Sequence, residues 1–490
     1  MLKHLSRCSS LRLRNTKLTP SCIRWNSQIA ETDDIHRIPP QLNLKYYAEN
    51  ADAIARNMTL RNYETDCALR VKELYSQRNQ LQEKAEILTR ERDTMNQQIR
   101  TAVTKESRQP YIAQAKHWKD QLRQVQDQLV RLESELINQA LLIPNDTHTQ
   151  VPIGPESNAR LVKTIGTPRL STAETPLADH VELAERLDMV DFEQASLVTG
   201  SKFYYLKNYG AWLEFALIQY AMHKAAAKGF SPVLAPDMVR TSIAYGCGFQ
   251  PRKKEASQIY DVSTPSTHAS APKLCLVGTA EIPLAGMFAK KLYKEQELPK
   301  KIVGFSHAFR AEAGHGSAEE RGLYRVHQFS KVELFTVTTP GQSEAMLQEL
   351  QDLQEDLFKD LGLCFRVLDM PTEELGASAY RKYDIEAWMP GKNGWGEISS
   401  TSNCTDYQTR RLDVRYLKNE FQENEGAKDV RVPWHIKEKF VDYCHTLNGT
   451  AMAVPRVIIA LLETHQNADG TINVPLALRK WIPGEPSILK

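Results

Sequence analysis

The sequence predicts an α+β chain, with an N-terminal antiparallel coiled-coil arm followed by a domain built on an antiparallel β-sheet flanked by helices. Three observations predict it. An apolar stripe in alternating steps of four and three residues runs through 62–104 and resumes over 115–136. Proline and glycine punctuation between Leu141 and Gly154 closes that pattern. From about residue 175 onward, strand-like segments succeed one another without regularly alternating helices, which favours an antiparallel sheet over a doubly wound parallel one.

A chain of 490 residues has room for two or three domains, and its 41% hydrophobic and 25% charged content is ordinary for a globular enzyme. No run of about 18 apolar residues occurs, so no membrane span is expected. The formal charge of +2 hides an asymmetry. Residues 1–30 hold Lys3, Arg7, Arg12, Arg14, Lys17 and Arg24 with five serines and no acid, the composition of a mitochondrial transit peptide. Setting those six cations aside leaves −4 for residues 31–490, so any nucleic-acid contact must come from a local basic patch. Eight scattered cysteines without a C-x-x-C pair suggest neither a zinc site nor a disulfide framework, as suits the mitochondrial matrix.

The arm is expected over 42–150. Its first stripe is Cys67, Val71, Leu74, Leu81, Ala85, Leu88, Met95, Ile99 and Ala102, interrupted by Arg78 and Arg92. Its second is Ala115, Trp118, Leu122, Val125, Leu129, Leu132 and Leu136. The helix break is placed at Gln109-Pro110, because proline disfavours helix in the residue before it. Two helices of roughly 40–55 Å would then pack antiparallel. Arg90, Arg92, Arg100, Lys105, Arg108, Lys116, Lys119 and Arg123 outnumber the acids between 88 and 123 by four, a basic tip suited to RNA or, equally, to water.

In the globular part, 151–490, helices are expected at 208–228 and 454–465 and an extended segment at 229–236. Strands are expected at 273–281, 301–313, 323–338, 365–371, 383–389, 395–404 and 446–453. Alternation along such strands places Thr279 with Glu281, Arg310 with Glu312, and Arg325 with Phe329 and Glu333 on shared faces. That pattern suits an enzyme floor as well as the wet face of a half-buried sheet. Glu397 and Ser400 differ in parity, so a bulge must separate them if both face one site. No G-x-x-x-x-G-K-[ST] loop is present.

Phe309-Arg310-Ala311-Glu312 followed by Tyr324-Arg325-Val326-His327-Gln328-Phe329 and Lys331-Val332-Glu333 closely resembles motif 2 of the class II seryl-tRNA synthetases. Thr279-Ala280-Glu281 resembles the serine-binding loop of that family, and Glu397-Ile398-Ser399-Ser400 its metal and ATP segment. Asn448-Gly449-Thr450 through Pro455-Arg456 resembles motif 3, and Pro236 matches the proline of motif 1. The order holds over about residues 42–485, the arm and its Ile143-Pro144-Asn145 ending included. Gly278, where the family often has proline, and Thr450, where serine is common, depart from the pattern.

The resemblance implies a serine–tRNA ligase of mitochondrial translation that forms seryl-adenylate from serine and ATP and passes serine to the 3′ end of tRNA(Ser). It implies a homodimer that acts on neither DNA nor membranes. A carboxylate is already a nucleophile, so catalysis would rest on positioning and charge stabilisation, without a Ser–His–Asp triad. Arg310 is the implied catalytic clamp on the α-phosphate and the serine carboxylate. Thr279, Ala280, Glu281, Arg310, Glu333, Asn448 and Thr450 would bind serine. Ala311, Glu312, Arg325, Val326, Phe329, Glu397, Ile398, Ser399, Ser400 and Arg456 would join Arg310 around ATP, with adenine between Phe329 and Arg456. Glu397 and Ser400 are the implied Mg2+ ligands. Arg90, Arg92, Arg100, Lys105, Arg108, Lys116 and Lys119 would face tRNA.

Overall fold

In the computed structural model the described residues are 38–250, 258–263, 272–312, 322–419 and 438–490. The basic leader expected over residues 1–30 lies outside them.

Two short helices, Leu44–Glu49 (α1) and Ala51–Leu60 (α2), form the base of the arm, from which rise Asp66–Thr101 (α3) and Lys105–Leu141 (α4). Their 36 and 37 residues correspond to about 55 Å each. The heptad stripes meet as expected. Val71, Leu74, Leu136 and Ala140 join Ile54 and Met58 at the base, and Leu88, Leu122 and Val125 close the middle with Trp118 and Leu129. Arg70 reaches across to Glu135 at 2.7 Å, near the open end of the antiparallel pair.

The turn lies at 102–104, not at Gln109-Pro110, and Pro110 sits inside α4. Thr104 and Ser107 form a capping box that starts the helix, and Arg108 Nε donates to the Ala102 carbonyl at 2.8 Å. Pro110 is only the sixth helical residue, so its missing N–H deprives a single carbonyl near an end that caps already hold.

Buried polar groups bolt the arm to the rest of the molecule. Arg61, fully buried at the end of α2, donates to the carbonyls of Asn145, Asp146, Gly376 and Ala379. Asn145 Nδ2 donates to the carbonyls of Ser378 and Cys404 at 2.8 and 2.9 Å. A charge sealed against carbonyls rather than water fixes the junction, because each lost donor would leave a buried acceptor unsatisfied.

The globular part is organised by eight strands: Arg160–Ile165 (β1), Ser231–Leu234 (β2), Lys300–Phe309 (β3), Gln328–Thr338 (β4), Phe365–Asp369 (β5), Arg381–Met389 (β6), Gly394–Thr405 (β7) and His445–Ala453 (β8). They lie in the order β1-β5-β6-β7-β8-β4-β3-β2. Every pair is antiparallel except β2 with β3. One face is covered by Asn208–Ala227 (α5), Ser343–Asp360 (α7) and Val454–His465 (α9), through Leu217, Leu350, Leu357, Ile458 and Leu462 against Val332, Leu334, Ile385, Ile398 and Leu447. The other face carries Glu281–Gly286 (α6) and Tyr407–Leu412 (α8), with Phe335 and Val337 packed among Ile282, Leu284 and Leu412.

Four strands are shorter than their patterns suggest, the one expected at 365–371 ending two residues early at Asp369. The one expected at 273–281 spans only Leu274–Leu276, and Glu281 begins a helix, whose early Pro283 a central strand would not accept. The strand expected at 301–313 ends at Phe309, and Glu312 takes φ +46°. The strand expected at 323–338 begins at Gln328. Strand alternation therefore cannot be what places Glu281, Arg310, Glu312 and Arg325; loops and a helix start place them.

Candidate active site

The open face of the sheet carries a cleft lined by Arg310, Glu312, Tyr324, Arg325, Val326, Phe329, Lys331, Glu397, Ile398, Ser399, Ser400, Thr450 and Arg456. Strands β4, β7 and β8, the turn after β3 and the first turn of α9 contribute to it. Arg310 and Leu323, on the two sides of the cleft, are held independently. Arg310 N donates to the His327 carbonyl at 2.9 Å, and Leu323 N donates to His180 Nε2 at 3.2 Å. Gly322 at φ +70° lies so close that a Cβ there would meet His180 Nε2 at 2.3 Å.

The charged residues of this cleft neutralise one another. Arg325 Nη1 lies 2.8 Å from Glu312 Oε2. Arg456 Nη1 lies 2.9 Å from Glu397 Oε2, and its guanidinium rests 4.7 Å from the Tyr324 ring centre. The Arg310 guanidinium stands 5.3 Å from the Phe329 ring centre, with Nε 3.4 Å from the Gly278 carbonyl. Phe329 and Arg456 thus share the cleft, while Arg456 stacks on Tyr324. Burial and the Arg456 charge both lower the Arg310 pKa from its ordinary value. Burial works against ionised Glu397, yet Arg456, Lys382 and Arg310 outweigh it and hold the carboxyl at about 2.

The register between β6 and β7 shifts at Ile385/Glu386, where Glu386 faces Glu397 and Ile385 faces Ser399. This is the bulge that parity demanded, and it brings Glu397 and Ser400 into one cleft while Ile398 turns into the helical core. A hard cation fits here. Glu397 is ionised, Ser400 offers a hydroxyl, and Asp384, cross-strand from Ser400, keeps a buried Oδ1 without a hydrogen-bond partner. The Ser399 hydroxyl is occupied by the Thr450 carbonyl at 2.5 Å. Ala280 is likewise fully buried in apolar surroundings, so Ala280 and Ile398 can act only through their backbones.

Beside the cleft lies a smaller, drier constellation around Glu333, which has no solvent exposure. Its Oε2 accepts from Lys331 Nζ at 2.6 Å, Thr279 Oγ1 at 3.2 Å and Thr450 Oγ1 at 3.5 Å. Its Oε1 accepts from Asn448 Nδ2 at 3.4 Å. Glu281, also buried, accepts from Gln408 Nε2 at 2.6 Å, and Thr446 Oγ1 fixes Gln408 at 2.8 Å. Burial and the Glu333 charge raise the Glu281 pKa to about 7, against the pull of Gln408. Two carboxylates among threonine and asparagine donors suit a small amine that also carries a hydroxyl.

The seven arm residues lie apart from both constellations. Arg90, Arg100, Lys105, Arg108, Lys116 and Lys119 are exposed along the distal half of the hairpin, and Arg92 is half-buried against Asp93. Sequence reasoning assigned no role to Lys331, Gln408 or Tyr324. For Lys331 a signal existed, since it alternates with Phe329 and Glu333 on β4; Gln408 and Tyr324 show only through their contacts.

Comparison with known proteins follows the same division. The model of the seryl-tRNA synthetase N-terminal domain matches residues 42–147, and that of the tRNA synthetase class II core domain (G, H, P, S and T) matches 262–428. The chain is 42% identical over 440 residues to a serine–tRNA ligase of Treponema denticola, covering 89% of this chain and 97% of that one. It is 39% identical over 447 residues to the mitochondrial serine–tRNA ligase of Schizosaccharomyces pombe, covering 91% and 88%. Among solved structures, seryl-tRNA synthetase from Pyrococcus horikoshii complexed with ATP superposes with a TM-score of 0.80 at 30% identity, covering 91% of this chain and 99% of that one. Cytoplasmic serine–tRNA ligase from Naegleria fowleri in complex with AMP gives 0.76 at 26%, covering 92% and 98%.

Proposed function

The chain belongs to the class II seryl-tRNA synthetase family and is an ATP-dependent serine–tRNA ligase, and on that premise we propose that it serves translation in the mitochondrial matrix, with the residues named above in the following roles. The acid-free leader supports import, as does the likeness to a mitochondrial relative.

The observation that carries the substrate reading is the buried Glu333 cluster adjoining Arg310. Glu333 takes the serine ammonium, with Thr279, Asn448 and Thr450 orienting it, and Glu281 takes the hydroxyl. A site built around such partners rejects alanine, whose methyl group would leave Glu281 unpaired. Adenine enters between Phe329 and the Arg456 side of the cleft, with Glu312 and the backbone around Ala311 and Val326 at its edge. Arg325 then exchanges Glu312 for the terminal phosphates.

The serine carboxylate attacks the α-phosphate, the bond to pyrophosphate breaks, and Arg310 stabilises the charge that builds on the phosphoryl oxygens. Glu397 and Ser400 would hold Mg2+, with the backbone of Ile398 and Ser399 nearby. Bound there, the ion would offset phosphate charge. In the second step the 3′-hydroxyl of tRNA attacks the activated carbonyl and AMP departs. The arm, reaching about 55 Å from the body, grips tRNA(Ser) through its basic distal half.

A homodimer completes the reading. Trp212, Phe215, Leu197 and Leu234 are exposed around α5 and the edge strand β2, an apolar surface that favours association. Pyrophosphate exchange tried with each of the twenty amino acids tests the assignment. Serine is expected to support it far above the others, and preference for another amino acid would overturn it.

A further inference from the structure

We propose that Lys331 orients the substrate carboxylate, so that the pocket reads a zwitterion through two fixed opposite charges. The inference rests on the serine-pocket reading and deepens it.

Lys331 is buried, with 7% exposure, yet it lines the cleft together with Arg310 and Thr450. Its Nζ lies 2.6 Å from Glu333 Oε2 and 3.0 Å from Thr279 Oγ1. An ammonium has three hydrogens, and these contacts use two. The third has a direction left over, on the cleft side of β4, where alternation sets Lys331 beside Phe329 and Glu333. The partners of Glu333 are divided unevenly. Oε2 receives Lys331, Thr279 and Thr450, while Oε1 receives Asn448 alone at 3.4 Å. The crowded oxygen is bound to the protein, and the open one is left for an incoming ammonium.

An α-amino acid carries its ammonium and carboxylate on one carbon, so a carboxylate whose ammonium meets Oε1 falls toward Lys331 and Arg310. Lys331, held by Glu333 Oε2 and Thr279 Oγ1, thereby aims the attacking oxygen together with Arg310. A rival role is a placeholder: in the free protein the lysine would occupy the ammonium position and swing aside when serine binds.

The two roles separate on ligands. Serinol has the ammonium and hydroxyl of serine and no carboxylate. Binding of L-serine and serinol to the full-length protein is measured by calorimetry, for wild type and Lys331→Met. Losing a charged hydrogen bond should weaken L-serine about tenfold or more, with serinol held within about twofold. Equal weakening of both would show that Lys331 acts only through Glu333, and unchanged or tighter binding of both would mark a placeholder; either overturns the proposal. If Lys331→Met does not fold, Lys331→Gln keeps hydrogen-bond donors without the charge, and the same split is expected. Wild-type protein that binds neither ligand would refute the serine-pocket reading itself, a failure visible before any variant is made.

Discussion

The arm and the catalytic floor treat charge in opposite ways. On the arm, cations stand in water beside partners on their own helix, as Arg90 does with Glu86 at 3.5 Å, and pairs of that kind contribute little. On the floor, Glu333 and Glu281 are buried, Arg310 and Glu397 are half-buried, and the neighbouring charges shift the ionisation of Glu281, Arg310 and Glu397. A surface of redundant, screened charges changes gradually when one is removed. A desolvated network does not, because each partner left behind keeps its burial cost. The difference teaches where single substitutions should be decisive, and four experiments can break or sharpen it.

The largest effect is expected at Arg310. Arg310→Ala removes a preorganised cation from the developing phosphoryl charge, and serine-dependent pyrophosphate exchange should fall by about 10²–10³-fold or more, with the melting transition little changed. Normal exchange in that variant would remove Arg310 from the chemistry and with it the contrast between floor and arm.

Next comes the arm itself. Replacing residues 78–129 by a short loop leaves the base cluster of Ile54, Met58, Val71, Leu74, Leu136 and Ala140 intact. Exchange should stay within about twofold, while kcat/KM for tRNA drops by about 10² or more, since backbone charge contacts supply much of nucleic-acid affinity. Unchanged tRNA affinity would leave the hairpin without its RNA role.

A smaller effect is expected at Glu281, whose pKa is raised to about 7. Serine kcat/KM in exchange should rise as pH passes through about 7, because the deprotonated carboxylate is the better acceptor for the substrate hydroxyl. Glu281→Gln should flatten that limb and lower kcat/KM by about tenfold. Stability runs the other way. The folded state holds this proton more tightly than the unfolded chain, so the contribution is fully present below the ordinary 4.5 and is lost as pH rises through about 7. A pH profile identical in wild type and variant would place the titration elsewhere.

Much of this contrast was legible in the linear pattern, for reasons that differ by region. The arm could be read because a two-helix seam repeats, and Cys67, Val71 and Leu74 on one helix with Leu122, Val125 and Leu136 on the other are buried as their spacing requires. The turn was misplaced because Pro110 signals a break that the capping box at Thr104 and Ser107 pre-empts. On the floor, parity found Phe329 and Glu333 on β4 and foresaw the bulge before Ser400. It placed Glu281, Glu312 and Arg325 in strands where the chain has a helix start or a turn, because alternation cannot signal where a strand stops. Arg61 was invisible. Its four carbonyl partners are contributed by residues 145, 146, 376 and 379, and no local pattern announces a cation buried against distant backbone.

The smallest effect should come from a single arm cation, and it is the sharpest test of redundancy. Lys116 is exposed on α4, in the distal half of the hairpin, where the surrounding charges are separately solvated. Lys116→Ala should raise KM for tRNA by no more than about threefold and leave exchange untouched. If Lys116 meets a phosphate, the slope of log affinity against log salt should shrink by about one, uniformly across tRNA sequences. Repeating the substitution at Lys119 and Arg100 should add in free energy, as independent surface sites do. A single one of these changes that cost as much as trimming the whole hairpin would mean that the arm, like the floor, concentrates its recognition in one desolvated contact, and the distinction between the two regions would fall.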